Sequence, residues 1–256
     1  MNLIVIIKQV PDTETKIRIR PDKSGIETGD VKWIVSPYDE FAIEEALRAK
    51  AALKTGTVTV VTVGPERSVE ALRTSLAMGA DSAIHVKWET SCNASVARAI
   101  CEVVKRENGS VLFAGKQASD DDQGVVFAYA AELLGWPSVS SVSRLDWPAD
   151  AKSVTIEKEV DGSARQKITL PLPCVIAMTK GVNTPRYASL PGIMQAKKKP
   201  VKVYSTQDLG LSDDPALKDS DYELPPERKA GIKLSGEIPA QVAELVKRLR
   251  EDAKVI

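Results

Sequence analysis

Three consecutive aspartates, Asp120 to Asp122, form the densest cluster of chemically active side chains in the sequence. They lie in the stretch AGKQASDDDQG, between a predicted buried strand and a predicted helix. Neighbouring carboxylates are typical ligands of Mg²⁺. Carboxylates also stabilise the N-terminus of a helix, by about 0.3–1 kcal/mol each. The spacing favours capping of the following helix, with at most one carboxylate left for a ligand ribose or amine.

The same stretch has features of a phosphate-binding loop. Gly115 and Gly124 permit a close approach of the backbone, and the free N–H groups at the start of the next helix are suited to an anion. The Gly-x-x-x-x-Gly-Lys spacing of a Walker loop is missing, and no Gly-x-Gly-x-x-Gly follows the first strand. A nucleotide contact and a connecting loop without a ligand both remain open at this point.

Residues for acid, base or nucleophilic catalysis are scarce. His85 is the only histidine, so a zinc site built from several histidines is excluded. We do not assign His85 to a Ser-His-Asp triad either, because a lone residue seldom makes a site. Cys92, Cys101 and Cys174 are too few and too widely spaced for a disulfide framework. We therefore predict that the three cysteines are small core residues, that His85 is a side chain at a strand end, and that the chain has no metal site.

The segment PRYASLPGIMQAKKKP, residues 185–200, places Leu190, Ile193 and Met194 between an Arg-Tyr pair and three lysines. Its prolines and Gly192 predict an irregular loop. Apolar anchors with a charged rim are typical of a surface that docks onto another protein. A loop folded back over the sheet is the alternative.

The composition excludes several function classes. Hydrophobic residues make up 43% of the chain, and 35 basic side chains balance 35 acidic ones, so the chain is globular and has no global field for nucleic acid or a membrane surface. The N-terminal MNLIVIIKQV is too short for a signal peptide or a membrane span. We expect a buried first strand, no membrane insertion and a cytoplasmic protein.

The first 135 residues alternate strand and helix patterns. LIVIIKQV, TVTVVTVG, SAIHV and SVLFAG are apolar runs of strand length, and amphipathic stretches separate them. In SPYDEFAIEEALR, Ser36 is a predicted N-cap, Pro37 the first helical residue and Asp39 the partner in a capping box. Such repeats predict a doubly wound, mostly parallel α/β sheet, with ligands beyond the carboxyl ends of the strands.

The pattern changes after Trp136. SVSSVSRLDW, SVTIEKEVDG, RQKITLPLP and CVIAMTK predict an antiparallel extension. We predict one α/β domain over residues 1–204, which includes the docking loop 183–199, and an extended C-terminal arm over residues 205–256. The arm ends in a surface helix with Val242, Leu245, Val246 and Leu249 on one face, which we expect to lie on another subunit.

The chain resembles the β subunit of electron transfer flavoproteins. The resemblance rests on GKQASDDD after a buried strand and on NTPRYASLPGIMQAKKKP, and it extends to IIKQVPDTETKIRI, SPYDEFAIEEALR and SLAMGAD. It implies an α/β domain of the adenine-nucleotide-binding type. It also implies a heterodimer whose larger α subunit holds most of a redox-active FAD, while the β subunit holds an AMP.

The resemblance further implies an electron carrier without catalytic residues of its own. Electrons would come from acyl-CoA-type dehydrogenases, as in fatty acid oxidation, and pass to a quinone-linked or other downstream oxidoreductase. The implied partner-recognition residues are Arg186, Tyr187, Leu190, Pro191, Ile193, Met194, Lys197, Lys198 and Lys199, with Leu190 as the anchor.

The nucleotide site implied by the resemblance follows the ends of three strands. Tyr38 matches an aromatic position that approaches the flavin of the neighbouring subunit. The implied cofactor-binding residues are Ile6, Ser36, Pro37, Tyr38, Asp39, Val63, Gly115, Lys116, Gln117, Ala118, Ser119, Asp120, Asp121, Asp122, Gln123, Gly124, Val125 and Val126.

The chain departs from many relatives just after the aspartates. Relatives have Asn-Gln-Thr-Gly or Gly-Gln-Val-Gly there, whereas this chain has Gly124, Val125 and Val126, so backbone N–H groups would replace two side-chain contacts. Members that bifurcate electrons carry a second FAD in place of AMP and tend to have glycine at the position of Asp121. Asp121 favours AMP, with the bifurcating type as one alternative and an ATP-cleaving α/β enzyme as an alternative of another class.

Overall fold

The computed structural model describes residues 1–148, 150–212, 217, 219–227 and 230–256 of the 256-residue chain. These residues divide into two compact units, Met1–Tyr222 and Glu223–Ile256. The predicted arm therefore includes positions 213–216, 218 and 228–229, which lie outside the described residues. The predicted boundary at residue 204 stays a prediction.

Strands and helices alternate through most of the first unit. The strands are β1 (Asn2–Ile6), β2 (Gln9–Pro11), β3 (Trp33–Val35), β4 (Thr57–Gly64), β5 (Ser82–Lys87), β6 (Val111–Gly115), β7 (Ser138–Asp146), β8 (Ser153–Val160), β9 (Ala164–Pro171), β10 (Cys174–Met178) and β11 (Val201–Tyr204). The helices are α1 (Pro37–Leu53), α2 (Val69–Met78), α3 (Asn93–Arg106), α4 (Val126–Leu134) and α5 (Leu190–Lys198).

Nine strands form one sheet in the order β11-β5-β4-β1-β6-β10-β7-β8-β9, and β2 and β3 pair separately. From β1 the chain passes to β4 and β5 on one side and returns to β6 on the other, and β1 is parallel to both β4 and β6. The strand order therefore reverses between β1 and β6. The predicted doubly wound, mostly parallel α/β sheet is confirmed.

Alternate residues of each central strand point into two separate hydrophobic cores. In β1, Leu3 and Val5 pack in one core with residues of α1, α2 and α5, whereas Ile4 and Ile6 pack in the other with residues of α3 and α4. The side chains of Leu3, Ile4 and Val5 have no exposed surface. The β-branched runs of the sequence are thus explained by helices on both faces of the sheet.

The antiparallel extension is confirmed for three strands and wrong for the fourth. β8 pairs antiparallel with both β7 and β9. β10, which the CVIAMTK pattern assigned to the extension, instead lies between β6 and β7 and is parallel to both. All five residues of β10 are buried. A short run buried on both faces is typical of a central parallel strand.

The segment predicted as an irregular docking loop contains a helix. α5 begins at Leu190, and the Ser189 side chain caps it by accepting a hydrogen bond from the N–H of Gly192. Pro191 lies in the first turn, where its missing N–H costs no intrahelical bond. The loop prediction is therefore wrong for residues 190–198, because the prolines and Gly192 lie at positions where a helix tolerates them. No pattern in the sequence predicted β11, which pairs with β5 at the sheet edge.

Among its described residues, 223–227 and 230–256, the second unit contains one helix, α6 (Ile238–Glu251). Three side chains of its predicted apolar face, Val242, Leu245 and Val246, have exposed fractions of 54%, 47% and 38%. In neither unit do the described residues form a helix that is both long and apolar enough to cross a membrane.

Candidate functional site

The first candidate site lies at the edge of the sheet where β1, β4 and β6 end. Because these strands are parallel neighbours, their carboxyl ends meet at this edge. Of the predicted residues, Ile6 ends β1, Val63 is the penultimate residue of β4, and Gly115 ends β6. Ser36 precedes α1, residues 37–39 begin it, and residues 116–125 connect β6 to Val126, the first residue of α4. We call this region the switch-point site.

A buried carboxylate joins the parts of the switch-point site. Asp39 accepts hydrogen bonds from the N–H of Lys8 (2.8 Å, to Oδ2) and from the N–H of Gly115 (3.0 Å, to Oδ1). Its exposed fraction is 7%. Both oxygens are thus used to hold the start of α1 against the ends of β1 and β6. We call these two contacts the Asp39 bridge.

The predicted capping box at the start of α1 is wrong. Ser36 occupies the N-cap position, but within the described residues its buried Oγ has no hydrogen-bond partner. The Asp39 carboxylate does not accept from the Ser36 N–H, which donates to the Lys8 carbonyl oxygen at 2.9 Å, because both carboxylate oxygens bond to the N–H groups of Lys8 and Gly115. A tertiary contact has replaced the local one.

Gly115 is required by the close approach of α1. A Cβ atom at Gly115 would lie 2.4 Å from Asp39 Oδ1 and 2.7 Å from Tyr38 Cβ. Such distances are shorter than van der Waals contact, so any side chain would push α1 away from β6. The half-buried Tyr38 is therefore packed directly against the first residue of the phosphate-loop candidate.

Burial determines the protonation of Asp39. Transfer away from water raises the pKa of its carboxyl to about 7, although the N–H groups of Lys8 and Gly115 favour the charged form. Asp120 adds to the rise, while the Lys8 ammonium opposes it. The Asp39 bridge thus contains an acid that titrates near neutral pH.

The three aspartates of the loop are held by side chains of the same site. Lys8 Nζ lies 2.8 Å from Asp120 and 3.0 Å from Asp121. Burial opposes the charge of Lys8, but these two carboxylates raise the pKa of its ammonium above the ordinary value. Gln117 donates its side-chain N–H to Asp122 Oδ1 at 2.8 Å. The sequence prediction did not include Lys8, although a lysine directly after a buried strand was a usable signal.

The prediction that the aspartates cap the following helix is wrong. Val125 is the N-cap residue of α4, and within the described residues no side chain caps this end. Asp122 and Gly124 have φ angles of +51° and +60°. These two left-handed residues turn the chain so that the carboxylates face Lys8 and Gln117 instead of the helix. Among the described residues, no group of three His, Cys, Asp or Glu side chains is arranged to hold a metal ion.

The loop retains polar groups that its own contacts leave free. Ser119 Oγ is buried and has no hydrogen-bond partner within the part of the chain that the structure describes. The first N–H groups of α4 belong to Val126 and the residues after it, and the first turn of a helix has no intrahelical acceptors for such groups. A hydroxyl and several amide donors around two glycines are the donor set that an anionic ligand requires.

The second candidate site is the outer surface of α5 together with Tyr187, three residues before the helix. Tyr187, Leu190, Ile193 and Met194 have exposed fractions of 98%, 81%, 40% and 65%. We call these four residues the apolar tip. The opposite side of α5 faces α2, where Ala196 is buried and a Cβ at Gly192 would lie 2.6 Å from the Ala77 carbonyl oxygen. The apolar tip is therefore outward-facing on a helix that is packed against the domain.

The basic residues around the apolar tip have different environments. Lys197 and Lys198 are in the last turn of α5, and both are exposed. Lys199 Nζ donates to the Ala80 carbonyl oxygen at 2.5 Å, and Arg186 donates to Glu44 through Nε at 2.7 Å. Two of the predicted rim charges thus point to acceptors of this chain.

Comparison with known proteins gives consistent matches. A sequence model of the electron transfer flavoprotein domain matches residues 24–209. The mitochondrial electron transfer flavoprotein subunit beta of Arabidopsis thaliana is 39% identical over 257 residues, which cover 100% of both chains. The subunit beta of Bacillus subtilis is 39% identical over 263 residues, with 100% of both chains covered. That of Mus musculus is 37% identical over 260 residues, covering 100% of this chain and 99% of its own.

Replacing Asp39 by alanine is expected to lower the free energy of unfolding by about 2–4 kcal/mol, because two N–H groups lose their acceptor in a buried place. Urea denaturation of the full chain, followed by circular dichroism, measures the loss. Asp146→Ala is the control, since it removes an exposed carboxylate that is paired with Arg144 at 3.3 Å. A loss no larger for Asp39→Ala than for this control would contradict the structural role of the Asp39 bridge.

The pH dependence of stability should reveal the raised pKa of Asp39. Since the pKa is about 7 in the folded chain and about 3.9 when unfolded, the folded state binds more protons between these values. The free energy of unfolding of the wild type minus that of Asp39→Asn should therefore fall as the pH rises from about 4 to about 7, and stay constant above pH 7. Denaturation of both proteins across this range measures the difference. A flat or rising difference would contradict the assignment.

Proposed function

The chain belongs to the electron transfer flavoprotein β-subunit family, and from this we propose that it is one half of a heterodimeric electron carrier. Its partner is an α subunit that holds most of an FAD. The complex accepts electrons from acyl-CoA-type dehydrogenases and passes them to a quinone-linked or other downstream oxidoreductase. The observation that carries the proposal is the match over the full length of electron transfer flavoprotein β subunits, which spans both candidate sites.

The switch-point site is proposed to hold an AMP. The donor set fits a nucleotide phosphate, since Ser119 Oγ is buried without a partner among the described residues, and the first N–H groups of α4 have no intrahelical acceptors. Val125 and Val126 bring no polar side chain, so backbone N–H groups carry the phosphate contacts. Asp121 is paired with Lys8, and this ion pair holds the loop next to the residues that follow β1. The role of the bound AMP is structural.

The role of the chain in electron transfer is positioning. The flavin supplies the redox chemistry when bound, and the protein supplies orientation and electrostatics. Tyr38, half-buried at the start of α1, is proposed to face the flavin of the α subunit. The only histidine, His85, is fully buried and bonds through Nε2 to the Gly64 carbonyl oxygen at 2.9 Å. That environment fits a core residue and supports the assignment as a carrier instead of a catalyst.

The apolar tip is proposed to dock onto the electron-donating dehydrogenase. Three of its four side chains are more than half exposed, which is unusual for Leu, Met and Tyr unless a partner covers them. Leu190 is the central anchor, with Pro191 beside it in the first turn. Lys197 and Lys198 lie at the rim, where they would speed the encounter with an acidic surface. A carrier must also dissociate, so a small and weak interface is suited to it.

The second unit is proposed to bind the α subunit. In α6, all of whose residues the structure describes, no residue is buried. The face formed by Val242, Leu245 and Val246 therefore provides apolar area for a partner to cover. A helix with a single exposed apolar face is stable chiefly when it is packed on another surface.

Nucleotides released by heat denaturation of the purified αβ complex should be one FAD and one AMP per heterodimer. Chromatography with absorbance detection measures both. Two FAD molecules and no AMP would contradict the AMP assignment and favour a bifurcating electron transfer flavoprotein. Magnesium-dependent cleavage of added ATP by the complex would favour the enzyme alternative, and an AMP that is never turned over would count against it.

Leu190→Ala should raise the KM of the αβ complex by about tenfold in electron transfer, because a Leu side chain buried at an interface contributes about 1.5–3 kcal/mol. The assay uses an acyl-CoA dehydrogenase reduced by octanoyl-CoA and follows the flavin absorbance of the αβ complex as acceptor. FAD content should not change. Val203→Ala, on the edge strand β11 and 55% exposed, is the control. Unchanged KM in Leu190→Ala would refute the docking role.

A further inference from the structure

Arg186 stands one residue before the apolar tip, and its side chain is directed to the chain's own helix α1. Its Nε lies 2.7 Å from Glu44 Oε2, and its Nη2 lies 3.1 Å from Glu44 Oε1. The Arg186 N–H also donates to Oε2, at 3.3 Å. A guanidinium that bonds both oxygens of one carboxylate is held in a fixed orientation. We call these contacts the Glu44 clamp.

Glu44 is well placed to hold residues 183–199, which we call the docking segment. Its side chain is only 5% exposed and therefore out of reach of a partner protein. Burial alone would raise the pKa of Glu44, but the hydrogen bonds and charge of Arg186 hold it below the ordinary value. The carboxylate is thus ionised and paired, and removal of Arg186 would leave it charged in a mostly buried place.

A neighbouring contact secures the same segment to α1. Asn183 donates its side-chain N–H to the Phe41 carbonyl oxygen and to Glu45 Oε2, both at 2.9 Å. Residues 183 and 186 are therefore both bonded to one face of α1, across 41–45. The chain that leads into α5 has little freedom to turn.

The other end of α5 is held as well. Arg73, on α2, donates through Nη1 to the carbonyl oxygens of Ala196 and Lys199, at 2.6 Å and 2.5 Å. These are carbonyls at the C-terminus of α5, where a cation is favoured. The helix that bears most of the apolar tip is thus held by hydrogen bonds on both sides within this chain, without any partner.

We propose that Glu44 is a positioning residue for docking: through Arg186 it holds the apolar tip in the orientation that the dehydrogenase binds. This rests on the proposed function of the apolar tip. A surface that is already ordered loses less conformational entropy on binding, and its affinity is higher for that reason. On this account Arg186 acts through Glu44 and not as a rim charge that touches the partner.

The test compares Glu44→Gln and Arg186→Lys in the purified αβ complex, with the dehydrogenase reduced by octanoyl-CoA. Both variants break the two-pronged contact, and Arg186→Lys keeps the positive charge. Each should raise the KM of the αβ complex roughly three- to tenfold while kcat and FAD content stay unchanged. The KM of the double variant should be no higher than that of the single variant with the higher KM, since both substitutions remove the same interaction.

Arg48→Gln is the matched control. Arg48 also donates to Glu44 Oε1, at 3.2 Å, and its side chain is 49% exposed, the same fraction as that of Arg186. Arg48 and Glu44 both belong to α1, however, so their contact does not connect α1 to the docking segment. KM should therefore stay within about twofold of the wild type.

The salt dependence of KM separates positioning from steering. If a rim charge attracts the dehydrogenase, its removal should make KM less sensitive to salt. The Glu44 clamp predicts a raised KM in Glu44→Gln with an unchanged salt dependence. If Leu190→Ala raises KM but Glu44→Gln and Arg186→Lys do not, the positioning role is overturned and docking stands. If Leu190→Ala itself has no effect, the proposed docking function fails.

Discussion

The carboxylate of Asp39 joins three elements that the covalent chain leaves apart: the start of α1, the end of β1 and the end of β6. Its two hydrogen bonds, to the N–H groups of Lys8 and Gly115, fix where α1 begins over the sheet. Gly115 makes this approach possible, since any side chain there would overlap Asp39. The orientation of α1 in turn determines where Glu44 and Glu45 point, and through them where the docking segment is held. One helix therefore connects the proposed nucleotide site to the proposed docking surface.

The parallel arrangement of β1, β4, β5 and β6 was predictable from the sequence because it depends on repeated, local patterns, whereas the pairing of β10 and β11 was not. β-branched runs separated by amphipathic stretches specify parallel strands covered on both faces, and the site residues then have to lie at their carboxyl ends. Predictions of which partner a particular polar group binds also failed. Asp39 and Asp120 to Asp122 have the residue types and positions of helix caps, yet their partners are Lys8, Gly115 and Gln117. Local spacing contains no information on such tertiary partners.

The docking segment also has tertiary contacts that local sequence patterns do not predict. Pro191 and Gly192 discourage a helix when they are read as isolated residues, but one lies in a first turn and the other faces the Ala77 carbonyl, where a side chain would not fit. The outward position of Leu190 and Met194 was expected from the family resemblance, since the residues alone left open a loop folded back over the sheet. The contacts of Arg186 with Glu44 and of Arg73 with the C-terminus of α5 were not expected. Arg73 and Glu44 are ordinary helical residues in the sequence, and only the packing of α5 against α2 and α1 gives them partners. The proposed function of a carrier depends on this combination of an exposed tip and an ordered support.

The central claim is that the apolar tip is open in the αβ complex and covered during docking with a dehydrogenase. Hydroxyl-radical footprinting, read by mass spectrometry, reports the solvent access of Tyr187, Leu190 and Met194 in one experiment. The account predicts that all three are modified readily in the free αβ complex and are protected when a saturating amount of reduced acyl-CoA dehydrogenase is added. Protection already in the free complex, or equal modification with and without the dehydrogenase, would contradict it.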